Sequence, residues 1–130
     1  MRDFQISNKC LGTEHPPFII AELSANHKGD IELVKKLMEV ATDCGADAIK
    51  IQSYNADTMT IKSDNSDFIV KHGLWKGRSL YELYEKAQTP FEWHEELFSF
   101  AKKKNIILFS TPFDESAVEL LTKVGVPAFK

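Results

Sequence analysis

Four short apolar runs in this sequence end on side chains that can do chemistry. Glu22 follows Phe18, Ile19, Ile20 and Ala21; Lys50 and Gln52 interrupt an Ala-Ile-Lys-Ile-Gln stretch; Ser110 and Thr111 follow Ile107, Leu108 and Phe109; Lys130 follows Ala128 and Phe129. Acidic side chains are almost never fully buried without a partner, so Glu22 either reaches solvent or has a task. Lys50 and Gln52 are two residues apart, which on a strand points them to one side. Two ammonium groups beside a threonine hydroxyl make a cradle for phosphate: the lysines act as point charges and the hydroxyl adds a donor. A carboxylate opposite them can move a proton or stabilise a developing cation. The same residues also admit a structural reading. Glu22 and Lys50 can pair across adjacent strands, and Ser110 and Thr111 can cap the turn that follows them.

The elements that must position these groups can be read from periodicity. Strands are predicted over 18–21, 48–52, 106–110 and 128–130. Asp30 caps a helix whose apolar positions Ile31, Val34, Met38 and Ala41 keep helical spacing until Gly45. An insertion over 53–88 is polar at first and then amphipathic. Two capping signals follow, Ser79 with Glu82 and Thr89-Pro90 with Glu92, the second opening a helix that buries Phe91, Leu97, Phe98 and Ala101. A last helix spans about 115–124, with Ala117, Leu120, Leu121 and Val124 inward, and stops at Gly125. Alternation of strand and helix predicts an α/β fold with parallel pairing and right-handed crossovers. Residues 1–16, with Phe4 and Ile6 alternating with polar neighbours, are predicted to form a short β-hairpin ahead of a domain over 17–130. In such folds ligands bind where the carboxyl ends of the strands converge, which is where Glu22, Lys50, Gln52, Ser110, Thr111 and Lys130 fall.

Composition narrows the function. The chain has 130 residues, 43% hydrophobic and 27% charged, the balance of one ordinary globular domain. Net charge is −3, from 16 basic and 19 acidic residues, so no electrostatic footprint for nucleic acid or an anionic membrane stands out. The start of the sequence has no apolar signal core and no run approaches a membrane span, which predicts a cytoplasmic protein. Cys10 and Cys44 lack metal-type spacing and read as free thiols. No glycine-rich phosphate loop is present, which disfavours a nucleotide. His94, followed by Glu-Glu-Leu-Phe, lacks a second histidine four residues on, so the zinc-protease pattern fails and a helix face is expected. His27, one loop beyond Glu22, can touch a ligand or hydrogen-bond its own loop. The run Lys102 to Lys104 fits the solvated end of a helix, where positive charge complements the dipole.

Four separated stretches, FIIAELSANHKGD, GADAIKIQSY, LFSTPFDESAVELL and VPAFK, occur in order and together resemble the N-terminal half of the sialic acid synthase family. Within it, DFIVKHGLWKGRSLYELYEKAQTPFEWH is similar to the pseudaminic acid branch. The resemblance implies a (β/α)8 barrel of which this chain holds the first four strands. It also implies condensation of phosphoenolpyruvate with an N-acetylated amino sugar of the 2,4-diacetamido-2,4,6-trideoxy-altrose type, giving a nine-carbon sugar acid and phosphate. Carried over by position, Glu22 is the essential carboxylate, with Asn26 and His27 on the loop beside it. Lys50, Thr111 and Lys130 bind the phosphoenolpyruvate phosphate and Gln52 faces the sugar; Ser110, next to Thr111, is expected at the sugar or on the loop. A divalent metal, Mn2+ or Mg2+, is implied with its histidine ligands on later strands, and a homodimer through a further C-terminal domain. A closed barrel takes about 250 residues, so this chain is expected to be part of a longer enzyme and inactive alone. The alternatives are the N-acetylneuraminate branch of the same family, an aldolase using Lys50 or Lys130 as a Schiff-base amine, and a fold that binds without chemistry.

Overall fold

A computed structural model describes residues 3–130. Its first element is a tight antiparallel pair, β1 (Phe4–Ile6) and β2 (Lys9–Leu11), joined through Ser7 and Asn8, with Ser7 at φ 55°. Three parallel strands follow in the order β3 (Ile20–Glu22), β4 (Ala48–Ser53) and β5 (Ile107–Pro112). Helix α1 (Ile31–Asp43) crosses between β3 and β4. The connection from β4 to β5 carries α2 (Ala56–Met59), α3 (Leu80–Ala87) and α4 (His94–Lys103), and α5 (Glu115–Val124) follows β5.

Local chemistry explains the boundaries. The Asp30 carboxylate accepts from Glu32 N at 2.9 Å, satisfying a donor that the first turn of α1 leaves free. Ser79 and Glu82 form a reciprocal capping box at the start of α3, and Asp114 Oδ1 accepts from Ala117 N at 2.9 Å to open α5. Gly125 ends α5 at φ 74°, a left-handed conformation that costs glycine nothing.

Four expectations shift. The first strand lies two residues later than predicted at its start, because Ile19 N is taken by the Asp47 carboxylate at 2.9 Å, and Glu22 itself enters the ladder opposite Lys50. The β5 strand runs on to Pro112, which brings Thr111 opposite Gln52. Thr89 caps nothing: it is buried, and a 3-10 turn over Phe91–Trp93 leads into α4 without a side-chain cap. The fourth strand is reduced to one bridge, Phe129 beside Ser110, with Lys130 N donating to Ser110 O at 3.2 Å; Pro127 has no N–H to extend the ladder.

Strand alternation sorts the sheet into two faces. Ile49, Ile51 and Leu108 face the helices and pack with Val34, Met38, Leu97 and Ala101. Each such large side chain contributes about 1.5–3 kcal/mol on burial. Ala48, Ile107 and Phe109 point the other way, over partly buried Ile6, Phe18, Val126 and Ala128, so the β1–β2 pair covers the lower part of the inner face. The upper part of that face carries the polar groups. Among the described residues no helix is long and apolar enough to cross a membrane, and Cys10 and Cys44 are exposed free thiols.

Candidate active site

Glu22 and Lys50 are register partners on β3 and β4, and their side chains form an ion pair on the inner face. The second carboxylate oxygen of Glu22 accepts from Ser24 Oγ at 3.1 Å and Ser24 N at 3.3 Å. Ser24 reaches back because it sits at φ 42°, which folds the chain over immediately after β3. Glu22 keeps 41% of its side chain exposed, whereas Lys50 keeps only 11% of its own, so the carboxylate meets solvent and the ammonium does not. Burial, and secondarily the nearby charge of Lys130, hold the Lys50 pKa below the usual lysine value despite the ion pair. Two cations brought together this way leave a net positive spot that an anion would relieve.

Gln52 stands opposite Thr111, on the same face as Lys50. The Thr111 hydroxyl is buried and has no hydrogen-bond partner among the described residues. Leaving a buried hydroxyl unpaired costs about 1–3 kcal/mol, so such groups call for an explanation. Lys130 follows the bridge at Phe129 and lies two positions past Ala128, which packs on the inner face, so it enters from the far side of β5. Glu22, Lys50, Gln52, Thr111 and Lys130 thus share one face at the carboxyl ends of successive strands.

Of the other expected site residues, Ser110 is placed otherwise, whereas His27 and Asn26 lie on the loop beside Glu22. Ser110 alternates to the helix side and is fully buried; its hydroxyl lies 2.7 Å from Ser53 Oγ and 3.1 Å from Ile51 O, so it does not face the rim. His27 is buried, with both ring nitrogens engaged within the fold, which favours the loop role over ligand contact. Asn26 is exposed on the loop, and its side chain is not drawn to the Glu22 carboxylate.

A buried polar chain under the site went unread in the sequence. His94, expected on an ordinary helix face, is fully buried: one ring nitrogen lies 2.7 Å from Ser53 Oγ and the other 3.1 Å from Pro90 O. With Nδ1–H donating to the Pro90 carbonyl, Nε2 accepts from Ser53, which in turn accepts from Ser110. This chain ties the ends of β4 and β5 to the start of α4 and so supports the strand ends that carry Gln52 and Thr111. The signal was available: Ser53 and Ser110 are small polar residues at helix-facing positions of otherwise apolar strands, and such groups need a buried partner.

Burial lowers the His94 pKa below the ordinary histidine value, so the folded state holds it neutral. Its contribution to stability is therefore full above the unfolded pKa, about 6.5, and is lost as the pH falls from there toward the lower folded value. Melts of the wild-type chain should decline on acidification through this range, and His94→Gln should flatten that decline while lowering stability at neutral pH. A variant whose acid profile matches wild type would remove His94 as the source.

The fold and this rim place the chain in the class of parallel α/β proteins that receive ligands at the carboxyl ends of their strands. It belongs to the NeuB family, whose profile matches residues 37–130. It is 50% identical over 126 residues to the pseudaminic acid synthase of Campylobacter jejuni, covering 97% of this chain and 36% of that protein. Against the pseudaminic acid synthase of Helicobacter pylori it is 46% identical over 115 residues, 88% of this chain and 34% of the relative. The crystal structure of N-acetylneuraminic acid synthetase from Leptospira borgpetersenii, solved in complex with citrate, superposes with a TM-score of 0.79 at 30% identity, over 98% of this chain and 40% of that one. The chain thus spans about a third of the length of the curated relatives it matches.

Proposed function

We propose that residues 1–130 form the first part of a (β/α)8 synthase that condenses phosphoenolpyruvate with an N-acetylated amino sugar to give pseudaminic acid and phosphate. The observation that carries this reading is the shared inner face: Lys50, Lys130 and the unpartnered Thr111 hydroxyl make an anion cradle beside the Glu22 carboxylate. Support for the sugar comes from 46–50% identity to proteins named as pseudaminic acid synthases. In this reading the cradle holds the phosphate of phosphoenolpyruvate and Gln52 lies toward the sugar. Carbon 3 of phosphoenolpyruvate attacks the open-chain aldehyde, water adds at carbon 2, and phosphate leaves by C–O cleavage. Glu22 faces the positive charge that develops at carbon 2, while Ser24 and Lys50 hold its two oxygens in place.

Among the described residues no three histidine, cysteine, aspartate or glutamate side chains gather into a metal site. The donor set present does not fit Mn2+ or Mg2+, so a divalent ion is assigned to ligands outside these residues and no step here is derived through it. A cytoplasmic homodimer is part of the same proposal, as is the lack of condensation by residues 1–130 alone.

One observation favours a second reading. A buried lysine with a lowered pKa is the kind that forms Schiff bases, and Lys50 is one. The two are separated by one experiment on a full-length enzyme carrying this sequence. Phosphate release from phosphoenolpyruvate that requires both the 2,4-diacetamido sugar and Mn2+ supports the synthase. Inactivation by borohydride in the presence of substrate, without metal dependence, would replace it with an aldolase. Preference for N-acetylmannosamine would move the chain to the N-acetylneuraminate branch.

A further inference from the structure

His27 is a hub between three segments. Its Nδ1 lies 3.0 Å from Gly29 N and accepts that hydrogen, so Nδ1 carries no proton and the proton sits on Nε2. Nε2–H donates to Ala87 O at 3.2 Å. Ala87 is the last residue of α3, where the final carbonyls have no intrahelical partner and are free to accept. The His27 backbone carbonyl receives Asp30 N at 2.9 Å, and its ring stands edge-on to Trp93, with centroids 5.4 Å apart at 82°. His27 as a residue is 4% exposed, so these bonds form out of water.

The loop held this way is costly to hold. Ser24 and Lys28 adopt φ values of 42° and 51°, uncommon for residues with a Cβ, and Gly29 sits at 75°. Leu23 N is fixed to Lys50 O at 3.0 Å at one end of the loop, and His27 pins the other to Ala87. Between the two anchors lies Ser24, whose hydroxyl and amide hold Glu22.

We propose that His27 is a positioning residue: protonated on Nε2 only, it latches the β3–α1 loop to the end of α3 and so keeps Ser24 against the Glu22 carboxylate. The long connection after β4 is thereby tied to the acidic group of the site. The proposal rests on Glu22 serving the reaction.

The test uses an isotopically labelled full-length enzyme carrying this sequence and three variants. His27→Phe keeps the ring against Trp93 and removes both hydrogen bonds; His27→Asn keeps an acceptor near Gly29; His27→Gln keeps the reach to Ala87. Wild-type ring nitrogen shifts should report Nδ1 unprotonated and Nε2 protonated. In His27→Phe the Ser24 amide resonance and the Glu22 side-chain carboxyl resonance should move, with partial return in Asn or Gln. Unchanged Ser24 and Glu22 resonances in a folded His27→Phe chain overturn the proposal, as does a wild-type ring protonated at Nδ1. If the Phe variant fails to fold, the Asn and Gln variants decide by the same resonances. In a full-length enzyme His27→Phe should lower kcat about tenfold and leave KM for phosphoenolpyruvate within about twofold. Resonances that move while Glu22→Gln turns over normally would overturn the functional reading of Glu22 and leave the latch a structural device.

Discussion

Glu22→Gln in a full-length enzyme carrying this sequence is expected to lower kcat at least about a hundredfold, roughly 2.7 kcal/mol of barrier, with substrate binding little changed. Glutamine keeps the shape of the side chain, and its carbonyl oxygen can still accept from Ser24 or from Lys50. What it lacks is the negative charge facing carbon 2. Fixed charges aimed at a developing charge commonly supply several kcal/mol, because they need no reorganisation as the reaction proceeds. Some stability is expected to go with the charge, because Lys50 keeps only 11% of its side chain exposed and loses its carboxylate partner, although the glutamine carbonyl can still accept from it. Steady-state kinetics and a thermal melt of each protein therefore separate the explanations. Normal turnover, or a loss of activity that follows a loss of fold, would make Glu22 a structural residue.

The parts of this fold legible in the sequence are those governed by local rules. The end of helix α5 was fixed by residue type alone, through Gly125 after it. The inner rim was legible because strand period two carries Glu22, Lys50, Gln52 and Thr111 to one face once the register is parallel and unshifted. Ser110 was misread for the same reason. It is adjacent to Thr111 in sequence, and adjacency on a strand means opposite faces, so the pair could not both line the rim. Local pattern was least informative where the outcome depended on distant partners. Thr89 carries the letters of a cap, yet packing around the start of α4 buries it. His94 looks like a helix-surface histidine, and only the approach of Ser53 and Ser110 from two strands makes it a buried acceptor. His27 was open between two roles until the end of α3 arrived to take its second nitrogen.

Lys50→Ala should weaken phosphoenolpyruvate binding by about 1.5–3 kcal/mol, the worth of a hydrogen bond to a charged group, or roughly 10–150-fold in Kd. Lys50 already has Glu22 as a partner, so its pairing alone does not require a ligand. Burial, and after it the charge of Lys130, hold its pKa below the usual lysine value. A phosphate between the two lysines would supply the missing negative charge and accept the free Thr111 hydroxyl, relieving both deficits at once. The sign of the pH dependence follows. Because the Lys50 pKa lies below 10.5, the ammonium is lost at lower pH than an ordinary lysine loses it, and phosphate affinity should fall as the pH rises through that range. Lys50→Ala should remove the Lys50 part of that alkaline limb as well as weakening the affinity, a double signature that a purely structural lysine cannot produce. Calorimetric titration with phosphoenolpyruvate at neutral and alkaline pH measures both quantities. An unchanged Kd with an unchanged pH profile would return Lys50 to the role of an ion-pair partner for Glu22 and move the phosphate elsewhere on the rim.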